Sequence, residues 1–114
     1  MQTWDLLSVH APNGTRDPLV LHSDDGSRAV LIVLQPGQSL GEHQVKENEW
    51  VTVLTGNVEI SSGTETVSGG PGTTVRFDPD ERRTLRSDTG GRVLLIFAPW
   101  PGAGHYRGDS TTAA

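Results

Sequence analysis

Gly37-Gln-Ser-Leu-Gly-Glu-His43-Gln-Val45-Lys-Glu-Asn-Glu49-Trp-Val-Thr-Val-Leu-Thr-Gly56 is the stretch whose reading decides the fold. It starts at a Pro36-Gly37 turn and ends at a Thr55-Gly56-Asn57 turn. Side chains alternate along an extended chain, so Glu49, Val51, Val53 and Thr55 share one face while Trp50, Thr52 and Leu54 share the other. A strand that begins with a carboxylate on its inner face is unusual, because acids seldom enter a core unpaired. This is therefore where function is sought.

Working outward, the same punctuation recurs. Fourteen glycines and seven prolines break 114 residues into short runs, and no run carries the 3.6-residue period of a long amphipathic helix. Upstream, Leu19–His22 and Arg28–Leu34 read as strands, the second nearly continuous in apolar residues and so covered on both faces. Downstream, Asn57–Ser61 is expected to pair back on the central strand across the Gly56 turn. Thr64–Val67, Thr73–Phe77, Arg82–Arg86 and Arg92–Pro99 follow. Roughly eight to ten short strands joined by tight turns mean an all-β jelly roll or closed barrel in one domain. Residues 1–12 are expected to form an N-terminal strand or arm, 13–101 the barrel, and 102–114 a C-terminal tail that docks and then frays.

Composition removes several function classes. A net charge of −5 argues against a nucleic-acid partner, which needs a basic footprint. The cluster Arg82, Arg83, Arg86 and Arg92 is too small to supply one. Cysteine is absent, which leaves neither disulfides nor a thiolate metal site nor a cysteine nucleophile. No apolar run is long enough to span a bilayer and the start has no signal-peptide pattern, so a cytoplasmic protein is expected. Asn13-Gly14-Thr15 reads as a turn. Phosphate-cradling, nucleophile-elbow and HExxH motifs are all missing.

On these residues the chain resembles a cupin, a small double-stranded β-helix or jelly-roll barrel. The family's first motif places glycine, two histidines, glutamate and glycine where this chain has Gly37, His43, Val45, Glu49 and Gly56. Its second places glycine, proline, glycine and histidine where this chain has Gly72, Asp78, Asp80 and Arg83. The resemblance implies a metal held by three histidines and the glutamate. Here His43 and Glu49 remain, while valine and arginine replace the other two ligands. Valine has no lone pair and arginine stays protonated, so no metal and no other cofactor is expected unless His22 or His105 folds in as a substitute.

Leu85 wants burial, and Arg83 shares its face. Arg83 is therefore expected to point inward, where Glu49 can hold it through two parallel hydrogen bonds. The alternative is that Arg83 swings out to solvent at the barrel mouth. Inside, it would act as a fixed cation where relatives seat an ion. The ligand-binding set is then His43, Glu49 and Arg83, and the ligand a small anionic organic molecule. His43 is also the candidate catalytic acid–base, as in metal-free cupin epimerases, against a reading as an inert histidine at the rim. Glu42, Lys46 and Glu47 read as a solvated loop, and His105 and Tyr106 as part of a surface tail. Trp50, on the face opposite Glu49, suits a contact between sheets or between subunits. A metal-free isomerase, epimerase or cyclase, a metal enzyme with recruited ligands, and a homodimeric interaction domain are the other functions considered, and a homodimer is expected in any case.

Overall fold

A computed structural model describes residues 1–11 and 18–105. These residues form β1 (Leu19–Ser23), β2 (Arg28–Leu34), β3 (Ser39–His43), β4 (Asn48–Gly56), β5 (Val58–Ser62), β6 (Glu65–Gly69), β7 (Thr74–Phe77), β8 (Arg83–Arg86) and β9 (Gly91–Ala98), without a helix. The expected Asn13-Gly14-Thr15 turn, and Tyr106 with the tail beyond it, lie outside the described residues.

Two antiparallel sheets face each other, one ordered β1-β2-β9-β4-β7 and the other β3-β8-β5-β6. Alternation places the core between them. Glu49, Val51 and Val53 of β4 stand opposite Phe97, Leu95 and Val93 of β9, all inward, while Trp50 and Thr52 stand opposite Ile96 and Leu94 on the outer face. From the second sheet Val58, Ile60 and Leu85 complete the core. Burying each such side chain contributes about 1.5–3 kcal/mol.

One expected pairing is not found. The chain does not turn back at Gly56 into a β4–β5 hairpin; it crosses from one sheet to the other, and β5 pairs with β6 and β8. Gly56 sits at φ 76° with its backbone pressed on Gly90 and Gly91, where a Cβ would collide. Only glycine fits that close approach. Residues 58 and 60 then bury in the opposite sheet, which a hairpin on β4 would not allow.

The N-terminal residues form an arm and not a strand. Arg92 Nη1 donates to the carbonyls of Leu6 and Val9, each at 2.9 Å, and so ties the arm to β9. Asp80 occupies the second motif's inner glycine position at φ 65°. Aspartate tolerates this left-handed backbone better than most residues. Its N–H donates to Val45 at 2.7 Å and its carboxylate takes Lys46 Nζ at 2.8 Å, which joins the β7–β8 turn to the β3–β4 loop.

Candidate functional site

The inward faces of β4, β7 and β8 meet at one end of the core. Arg83 and Leu85 are the buried residues of β8, as the alternation requires, and Arg83 is 1% exposed. It lies inside and does not swing out. Arg83 Nη1 stands 3.1 Å from Glu49 Oε1, and Glu49 is also 1% exposed. The guanidinium lies 4.5 Å from the centroid of the Phe77 ring, which pairs across the sheet with Glu49. Arg83 Nη2 donates to the Asp78 carbonyl at 3.3 Å.

The expected pair of parallel hydrogen bonds is not formed. Arg83 sits over the Phe77 ring while Glu49 approaches from the other sheet, and only one nitrogen–oxygen contact of the pair falls within ion-pair distance. Among the described residues Arg83 Nε, Arg83 Nη1 and Glu49 Oε1 have no hydrogen-bond partner. Burial pushes the Glu49 carboxyl up to about 7; Arg83 opposes that rise and Glu47 adds to it. Burial likewise holds Arg83 below its ordinary value, against the pull of Glu49 and Glu81. Both ions lose more by leaving water than their single contact returns.

Glu47 is the residue that sequence reasoning missed. It is 0% exposed, not part of a solvated loop. Its Oε2 accepts the Gly102 N–H at 2.8 Å and stands 2.7 Å from His105 Nδ1, while Oε1 has no hydrogen-bond partner among the described residues. The segment from Pro99 to His105 therefore straps across this end of the barrel, with the Trp100 and His105 rings 4.5 Å apart. Gly102 is required there, because a Cβ would strike the Lys46 carbonyl. The spacing Glu47-x-Glu49 does place both carboxylates on one face of an extended chain. That signal was present before the partner segment, distant in sequence, was known.

His43 lies elsewhere. Its backbone pairs with Arg83, but its side chain is half-buried, donates from Nδ1 to the Gly41 carbonyl at 2.8 Å, and lines a shallow hollow with Glu42, Gln44 and Arg82. Val45, at the second histidine position, packs against the core. His22 pairs with Asp24 at 2.9 Å on an exposed edge. No group of three or more His, Asp or Glu side chains among the described residues is placed to hold a metal. A guanidinium paired with Glu49 makes the set still less suited to a cation. The residues present do not fit the metal that the motif implies.

A cleft of about 140 Å³ opens where β6 and β7, the last strands of their sheets, face each other. Ile60, Val67, Val75 and Phe77 give it apolar walls, and Ser62, Glu65, Arg76 and Glu81 a polar rim. Phe77 is thus a shared wall, with the cleft against its ring and Arg83 stacked on it.

Comparison with known proteins follows the same geometry. The family model described as a cupin domain matches residues 30–98. No curated protein matches the chain. An RmlC-like cupin protein from Desulfovibrio desulfuricans superposes with a TM-score of 0.76 at 21% identity, over 87% of this chain and 97% of that one. An uncharacterized conserved protein with a double-stranded β-helix domain from Klebsiella pneumoniae gives 0.76 at 16% identity, over 90% and 94%. A conserved protein of unknown function from Streptococcus pyogenes gives 0.71 at 22%, over 85% and 86%. At these identities the likeness is one of fold.

Proposed function

The chain belongs to the cupin domain family, and from that premise we propose that it binds a small organic carboxylate on Arg83, the residue standing where the family's last histidine ligand would be. The observation that supports this most directly is that two nitrogens of a guanidinium that is 1% exposed make no hydrogen bond among the described residues, Nε having no acceptor and Nη1 meeting Glu49 Oε1 only as an ion pair at 3.1 Å. Nitrogens bearing N–H groups and left without acceptors in a dry interior are costly. A carboxylate accepting from both would form the bidentate fork that Glu49 does not. Glu49 then holds the guanidinium in place, and Phe77 separates it from the neighbouring cleft, which neither Arg83 nor Glu49 lines. His43 enters only through the neighbouring hollow, so the proposed site centres on Glu49 and Arg83. The protein is taken to work in the cytoplasm; among the described residues no helix is long and apolar enough to cross a membrane.

Arg83→Lys tests the reading, since lysine keeps the charge and loses the fork. Titration with short carboxylates should show at least about tenfold weaker binding to the variant, the loss expected for one charge-assisted hydrogen bond. Equal dissociation constants for both proteins would remove Arg83 from the site.

A homodimer is supported by a separate observation. On the outer face of the five-stranded sheet Trp50 is 46% exposed, opposite Ile96 and beside the Thr52–Leu94 pair. Exposed aromatics of this kind are favoured at subunit contacts. Light scattering should give twice the chain mass for the native protein and the single mass for Trp50→Glu; a native monomer refutes the dimer.

A further inference from the structure

We propose that β6 is a docking edge, to which an extended segment of a partner protein adds as a further strand, its short apolar side chains alternating with lysine or arginine. The surface is separate from the carboxylate reading above, since neither Arg83 nor Glu49 lines the cleft concerned.

The edge itself is the first support. Among the described residues β1, β7, β3 and β6 end the two sheets. An antiparallel end strand turns the N–H and C=O of every second residue away from its neighbour, and proteins blunt such edges with bulges, charges or brevity. β1 and β3 each pair with a register shift. β7 has four residues and carries the charged Arg76. β6 is the least guarded of the four. Its five pairs with β5 run without a shift, its one charge is Glu65 at the first position, and its residues 65–68 are all exposed.

The cleft supplies the chemistry of the partner. Val67 stands opposite the buried Ile60, so Glu65, Val67 and Gly69 share the inward face of β6. Val67 is nonetheless 43% exposed, at the open side of a cleft walled by Ile60, Val75 and Phe77. A strand laid along β6 places every second side chain on that same face, and the volume of about 140 Å³ suits short ones. Charge selects the rest. The rim holds Glu65 and Glu81. Glu81 accepts from neutral donors, Ser62 Oγ and the Asp78 N–H, and so keeps its charge. Arg76, the basic residue of the rim, is held by Asp78 at 2.9 Å. The rim is therefore acidic, as is the chain at −5. Complementarity disfavours a second copy as the occupant and favours a basic strand.

The test uses the native protein and a blocked peptide of sequence lysine-valine-threonine-valine-lysine, with binding read by calorimetry. Two further peptides carry N-methyl groups on every second backbone nitrogen, one in each phase. At least one phase should bind about tenfold more weakly than the parent, the scale of one or two ladder hydrogen bonds lost. Both phases binding like the parent, or no binding by the parent, would overturn the strand addition. Exchanging both lysines for glutamate should cost roughly fivefold, the scale of an exposed ion pair; equal affinity would overturn the basic partner. Val67→Lys sets an inward charge on the edge and should weaken the parent peptide at least about tenfold with the fold retained. Unchanged binding would place the peptide elsewhere and sink the proposal. A lower mass for this variant than for the native protein in light scattering would give the edge to a second copy, which also overturns it. Should Val67→Lys fail to fold, the methylated peptides on the native chain decide alone.

Discussion

Arg83→Ala should lower stability at pH 8 by about 3–5 kcal/mol, among the largest effects of any single change in this chain, because it breaks a buried ion pair and leaves one charge behind. Glu49 would then stand 1% exposed without its nearest cation, beside Glu47, and Phe77 would lose the guanidinium on its face. The loss should be smaller at pH 5. Arg83 is what restrains the rise of the Glu49 pKa, so without it Glu49 takes up a proton and sheds the unpaired charge. Replacing both partners, Arg83→Met with Glu49→Leu, should recover most of the stability or exceed the native value, as apolar substitutes for buried ion pairs often do. Urea unfolding of the native protein and the two variants at the two pH values measures both effects. A double variant as unstable as Arg83→Ala would mean that the pair holds the barrel together. Recovery in the double variant with loss of ligand binding would assign the pair to recognition.

Much of this site was legible in the sequence. Val51 and Val53 fix the inner face of β4 and carry Glu49 inward with them; Leu85 does the same for Arg83 on β8. Period-two alternation is a local property, and it survived folding. What was not legible depends on contacts between segments far apart in the chain. Glu47 precedes β4 in polar company and looks like loop until Gly102 and His105 arrive to cover it. The Gly56 turn has the residues of a hairpin, yet the close approach of Gly90 sends the chain to the opposite sheet. The two parallel hydrogen bonds expected of Arg83 and Glu49 are replaced by a single ion contact with the guanidinium over the Phe77 ring, and nothing in the β8 sequence announces Phe77. The β6–β7 cleft is likewise a property of two sheet edges and belongs to neither strand alone.

The second large effect is a dependence of stability on pH with a sign opposite to that of ordinary surface acids. Burial raises Glu49 from 4.5 to about 7. A carboxyl raised in this way binds its proton more tightly in the folded state than in the unfolded one. Its contribution is therefore fully present below 4.5 and is lost as pH rises through about 7. At 1.36 kcal/mol per unit, that shift amounts to a loss on the order of 3 kcal/mol between those limits. Asp24 behaves the other way. The Gly26 N–H, with His22 and Ser27, pushes it down to about 2, so its stabilisation is present above 3.8 and is lost only as pH falls through its folded value. The two windows do not overlap, which leaves the range from pH 5 to 7 to Glu49 in any comparison that changes Glu49 alone. Glu49→Gln keeps the size of the side chain and cannot titrate. Urea unfolding at intervals from pH 5 to 8 should show native stability falling relative to the variant by up to one proton equivalent per unit of pH, and levelling off above about 7. Parallel curves for the two proteins would mean that Glu49 has the same proton affinity folded and unfolded, and with it that the lumen is wet enough to solvate the pair.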